Sequence, residues 1–252
     1  MTTTIYQRDD DLLMGISLQN ISVPENNNMA LHICENPETI INNRKQLAAT
    51  LNYPLEQFVC ANQTHSATFY KVTKEDAGRG AFRNDEAIPE TDALYTFESN
   101  IVLSSFTADC VPVLFYSKED HLVGAIHSGW QGTVKEISLK TFEHLRDEER
   151  IDLNNVFVHI GTALSQERFE VDEDVYTKFK NLGYADDLMY LKESTHKYHI
   201  DNQLTVQKQC ELAGIPSDNI TVERVCTFDS DEGFSYRQNK KAGRHLSFIV
   251  QK

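Results

Sequence analysis

The sequence predicts a layered domain of the α/β or α+β class. Short, largely apolar runs, as at residues 101–106 and 111–116, are the pattern of strands buried on both faces. Helical stripes lie between such runs, as at Val134, Ile137, Phe142 and Leu145. No repeat, heptad pattern, low-complexity tract or Pro- and Gly-rich linker divides the chain, so residues 1–252 are expected to form a single domain.

The elements are read in chain order. Residues 37–52 carry Ile40, Ile41, Leu47 and Leu51 at helical spacing, with Pro54 as the stop. Residues 58–61 read as a strand entering a loop at 62–66. The strands at 101–106 and 111–116 flank Thr107-Ala108-Asp109-Cys110. A third strand, 121–127, runs into Ser128-Gly129-Trp130-Gln131-Gly132, and a helix is expected over 133–146. Residues 156–161 read as a strand, 171–182 and 204–213 as helices, and 220–227 and 245–250 as late strands.

Bulk properties exclude some functions. A net charge of −14 argues against nonspecific nucleic-acid binding, which rests on Lys and Arg meeting phosphates. No apolar run approaches the roughly 18–20 residues that span a bilayer. The first eleven residues are polar, without the basic and apolar regions of a signal peptide. Five cysteines, an odd number in a chain this long, fit a reducing cytoplasm with free thiols. A cytoplasmic protein without membrane or nucleic-acid partners is therefore expected.

His65, Cys110 and His127 each follow or end a strand, where a rigid scaffold mounts reactive groups. Two imidazoles and a thiolate suit zinc, or less well copper, and three protein ligands leave a tetrahedral position open for catalysis. Asp109, beside the cysteine, is a candidate second ligand shell or proton carrier. The spacing matches no local metal motif, so a buried hydrophobe-like cysteine and a satisfied core histidine account for the same residues. His121, His159 and His245 lie in or beside strand patterns and read as structural.

At these residues the chain resembles the laccase-domain family, long labelled "multicopper polyphenol oxidase" and linked to purine nucleoside metabolism. The matching stretches are Asn62-Gln63-Thr64-His65, Thr91-Asp92-Ala93-Leu94-Tyr95-Thr96, Thr107-Ala108-Asp109-Cys110-Val111-Pro112-Val113 and Ala125-Ile126-His127-Ser128-Gly129-Trp130-Gln131-Gly132. Phe169-Glu170-Val171, Lys197-Tyr198-His199-Ile200-Asp201, Cys226-Thr227, Phe234-Ser235-Tyr236-Arg237 and Gly243-Arg244 follow in the family's order. The resemblance implies a layered sandwich of two mixed β-sheets flanked by helices, with His65, Cys110 and His127 as zinc ligands. It also implies phosphorolysis of purine nucleosides or methylthioadenosine, and adenosine deamination. Oxidation of phenols by several coppers fits poorly, because it needs many more grouped histidines.

Two departures weaken phosphate use. Gln131 stands where the family usually has Arg, and the segment around Gln19 lacks the family's Arg followed by two glycines. Arginine is the usual bidentate partner of phosphate. Arg237 and Arg244 remain as candidate anion partners. Catalysis is thus assigned to His65, Asp109, Cys110 and His127, and substrate contact to Asn62, Gln131, Phe228 and Arg237. The expected function is a zinc-dependent purine nucleoside phosphorylase and adenosine deaminase, taking a nucleoside and phosphate or water. Two alternatives stand beside it: a metal-containing binding or regulatory protein with weakened catalysis, and a cysteine hydrolase with Cys110 as nucleophile and His127 as base.

Overall fold

The computed structural model describes residues 2–252. In chain order the elements are β1 (Thr3–Arg8), β2 (Leu12–Ser17), α1 (Pro37–Leu51), β3 (Phe58–Val59), β4 (Phe69–Lys71), β5 (Ala93–Thr96), β6 (Val102–Thr107), β7 (Val111–Ser117) and β8 (Leu122–Ser128). There follow α2 (Trp130–Val134), α3 (Ile137–Asp147), β9 (Phe157–Ile160), β10 (Glu170–Val171), α4 (Glu173–Lys180), β11 (Met189–Lys192), β12 (Lys197–Ile200), α5 (Asn202–Ala213), β13 (Ile220–Val222) and β14 (His245–Gln251).

Two mixed sheets form the body, as expected. One has the order β1-β2-β14-β6-β3 and the other β13-β9-β7-β8-β5-β4. A small antiparallel sheet, β10-β12-β11, is an addition to the expected sandwich. Strand alternation builds the layers. Leu246, Phe248 and Val250 of β14 pack with Leu47 and Leu51 of α1, while Ile249 joins Leu103, Leu114 and Val123 between the two sheets. Val113 and Phe115 of β7 turn the other way, towards Ile137, Phe142 and Leu145 of α3 and Val206 of α5. Both faces of β6, β7 and β8 are thus covered, which is why those strands lack polar alternation.

Helix boundaries follow local chemistry. Asn36 caps α1 by accepting from Glu38 N–H, Pro37 opens it, and Asn52 ends it in the left-handed conformation (φ 65°). The helix expected over 133–146 is in fact two. It starts at Trp130 and breaks at Glu136, whose φ of 62° interrupts the ladder and whose carboxylate accepts from Tyr184 Oη. Val171 is in a strand, and α4 begins only after Asp172. The late strand is confined to 220–222, with an isolated bridge from Ala163 to Cys226. All five cysteines are free thiols. Among the described residues, no helix is long and apolar enough to cross a membrane.

Candidate metal centre

Strand register assembles the centre. In the β7–β8 pair Val111 lies opposite Ser128, which sets Cys110 beside Gly129 at one end of the sheet. In the β5–β8 pair Ala93 lies opposite Ile126, which brings Asp92 alongside His127. The third member, His65, sits in the loop after β3 with φ 57°. The donor atoms of His65, Cys110 and His127 all lie within 4.8 Å of one another, with Cys110 Sγ 3.7 Å from His65 Nε2.

Asp92 holds this arrangement. Its carboxylate accepts from the backbone N–H groups of Thr64, His65 and Ser66 at 3.1, 3.1 and 2.7 Å and from Ser66 Oγ at 2.6 Å. It also lies 2.8 Å from His127 Nδ1. Three backbone donors lock the left-handed turn at His65, and the imidazole contact leaves His127 Nε2 turned to the thiol. A carboxylate on the far nitrogen is the usual partner of a metal-bound histidine. Burial alone would raise Asp92, yet the contacts from His127 and Ser66 hold it down at about 2.

The thiol and imidazole are coupled. Burial opposes charge on both, but the His127 charge and the hydrogen bonds from both histidines pull Cys110 below its ordinary value. Cys110 and Asp92 push His127 up. The pair therefore favours thiolate and imidazolium, the state that exchanges its proton for a metal cation. Gly129 supplies the room: a Cβ there would lie 2.4 Å from His65 Cδ2 and 3.0 Å from Cys110 Sγ. Two imidazoles, a thiolate, an orienting carboxylate and a glycine that keeps the space open fit a borderline-soft metal ion such as zinc or copper.

The three residues line a cavity of about 780 Å³, walled by Phe106, Trp130, Leu164 and Phe169 and edged by the cations Arg237, Lys240 and Arg244. Asp109 lines it too, at φ 82°. Its Oδ1 accepts from Thr227 Oγ1 at 2.7 Å and its Oδ2 from Arg237 N–H at 2.6 Å. The carboxylate thereby ties the β6–β7 turn to the loop that carries the cations.

Three expected substrate contacts lie outside the cavity lining. Asn62 is exposed, and its backbone bonds Ile88 and Thr91; the next residue, Gln63, lines the cavity. Gln131 is exposed on the five-residue α2, since the helix starts at Trp130 and turns that indole, not the amide, towards the cavity. Phe228 is covered by the guanidinium of Arg168, 4.5 Å from its ring centre. Gln19 lines a separate, more polar cavity of about 690 Å³ that shares His32 with the first. Asp92, Gly129 and His32 border the candidate site, and sequence reasoning did not single them out. For Asp92 the signal was a carboxylate abutting the apolar run 93–95; for His32 there was none.

His159 and His245 are buried, in keeping with the structural reading. His245 accepts from Phe234 N–H at Nε2, with Nδ1 2.8 Å from the Ser17 carbonyl.

Known proteins match this chain in sequence and in fold. The family described as "Multi-copper polyphenol oxidoreductase laccase" matches residues 13–252. A purine nucleoside phosphorylase of Staphylococcus saprophyticus is 36% identical over 226 residues, 89% of this chain and 84% of its own. The purine nucleoside phosphorylase YlmD of Bacillus subtilis is 32% identical over 253 residues, 98% of this chain and 91% of its own. The crystal structure of YlmD from Geobacillus stearothermophilus matches with a TM-score of 0.90 at 31% identity, over 96% of this chain and 92% of that one. With nearly the whole chain matched in sequence and in fold, this protein belongs to the multi-copper polyphenol oxidoreductase laccase family.

Proposed function

We propose that this chain is a zinc-dependent purine nucleoside enzyme that cleaves the sugar–base bond with phosphate and deaminates adenosine. The observation that carries the reading is the His65–Cys110–His127 cluster opening onto an apolar cavity edged with arginines. The names of its relatives support it. His65, Cys110 and His127 would hold the metal, which supplies Lewis acidity.

The chain's own residues do the rest. Trp130, Phe106 and Phe169 offer flat or apolar surface to a purine and exclude water around it. Arg244, partly buried and held over the Tyr236 ring, and Arg237 present cationic donors to phosphate. A phosphate oxygen then bonds to C1′ as the C1′–N9 bond breaks and its electron pair passes to the purine. In deamination, water adds at C6 and ammonia departs. Asp109 has one hydrogen bond on each oxygen and so retains acceptor capacity for a proton in either reaction.

Copper oxidation of phenols has less support: His65, Cys110 and His127 form the one group of three or more candidate ligands among the described residues. A cysteine hydrolase has an observation of its own, the Cys110–His127–Asp92 series with the thiol driven towards thiolate. Assays of adenosine and inosine with and without phosphate, alongside elemental analysis of protein purified without added metal, separate the readings. Phosphate-dependent release of free base by zinc-loaded protein is expected. Amide or ester hydrolysis by metal-free protein, without nucleoside turnover, would overturn the proposal.

A further inference from the structure

Asn202, the first residue of α5, lines the cavity and is 6% exposed. Its Nδ2 donates to the carbonyl of Ser128 at 3.3 Å, one residue beyond His127. That contact fixes the amide's orientation, because a flip would set two oxygens against each other. Oδ1 is left without any donor of the protein, and it is the buried orphan polar atom among the side chains that line the cavity.

The mounting of Asn202 is rigid. Asp201, just before it, accepts two hydrogen bonds from Arg224 at 3.0 and 2.6 Å and caps α5 through Leu204 N–H. Ile200, just before that, packs with Leu164 and Phe169, and Trp130 lies against the same cluster. The surroundings are therefore apolar, and an unmet acceptor there costs far more than one in water.

We propose that Asn202 Oδ1 is a specificity determinant that accepts a hydrogen bond from the 6-amino group of a purine nucleoside seated against this wall. The inference rests on the purine nucleoside reading above and deepens it. A fixed acceptor pairs with the 6-amino group of adenine, and it repels a 6-oxo group at the same place. A site built around one buried hydrogen bond rejects the isostere that lacks the donor.

The test compares adenosine with 6-methylpurine riboside, of the same shape but with CH₃ in place of NH₂. Initial-rate kcat/KM for base release at saturating phosphate is measured on zinc-loaded protein and on Asn202→Leu and Asn202→Ala. The unmodified protein is expected to favour adenosine by on the order of 10- to 100-fold, and both variants to bring the ratio close to one. General damage to folding lowers both ligands alike and leaves the ratio where it was. Equal use of the two nucleosides by the unmodified protein, or a preference that survives in both variants, overturns the role of Asn202 and leaves the nucleoside reading intact. Absence of turnover for every nucleoside overturns the nucleoside reading itself, and this inference with it.

Discussion

The Asp92 carboxylate lies 2.8 Å from His127 Nδ1 while also gathering the N–H groups of Thr64, His65 and Ser66. One side chain thus orients two candidate metal ligands that are far apart in sequence. Removing its charge should loosen both. Asp92→Asn is expected to lower zinc affinity by about 10- to 100-fold, read by competition with a chromophoric chelator. An unchanged affinity would show that the carboxylate serves the loop alone.

The ligand set predicts about one zinc per chain, lost in both His65→Ala and Cys110→Ser. Elemental analysis checks this. Full zinc in either variant would remove that residue from the set, and several copper equivalents per chain would revive the oxidase chemistry of the family's description.

Gly129→Ala should empty the site without unfolding the chain. The new Cβ would press on His65 and Cys110, and Gly129 itself has φ −66°, which alanine adopts freely. Zinc content in the presence of a competing chelator is expected to fall below about a fifth of the unmodified level, since overpacking a filled site costs about 1–3 kcal/mol, with the far-ultraviolet spectrum retained. Normal zinc loading would mean that the loop shifts to admit the methyl.

Phosphate should depend on the cations of the loop before β14. Arg244→Gln is expected to raise the KM for phosphate by about 10- to 100-fold, whereas Gln131→Arg, out on the exposed helix, should change it less than about threefold. Initial rates of adenine release from adenosine at varied phosphate provide the measurement. A large gain from Gln131→Arg would show that the side chain reaches the cavity after all.

Acid should destabilise the fold before carboxylates titrate. Burial pushes His245 down to about 4, and its Nε2 must stay unprotonated to accept from Phe234. An unfolded histidine titrates near about 6.5. The stability this residue contributes is therefore complete above about pH 6.5 and is lost as pH falls towards 4, because the unfolded chain binds the extra proton. His159, also pushed down to about 4 by burial, adds a slope of the same sign. Urea unfolding between pH 7 and 4.5 should show the decline, with a shallower slope in His245→Asn. A pH-independent midpoint across that range would contradict it.

Much of this was legible in the sequence because both faces of the central strands are covered. Runs such as 111–116 and 122–127 could only be strands with helices beyond them. The candidate ligands were legible from residue chemistry together with resemblance, since His65, Cys110 and His127 meet only through sheet register. What escaped was conformation set by single residues. Glu136 breaks a helix that its flanking apolar stripe continues, and Val171 joins a strand because Tyr198 pairs with it. Asn62, Gln131 and Phe228 lie in or beside the right stretches, but side-chain direction within a loop or short helix depends on neighbours that periodicity does not encode.

The position of β14 has a consequence for how this molecule is made. The last strand of the chain lies between β2 and β6, pairing antiparallel with both. Until it is translated, the two earlier strands expose unpaired amides along whole edges, and the loop bearing Arg237 and Arg244 has no far anchor. Synthesis on the ribosome must therefore run through β14 before the sheet can close, so a nascent chain stalled short of that strand would display open strand edges suited to chaperones or to aggregation.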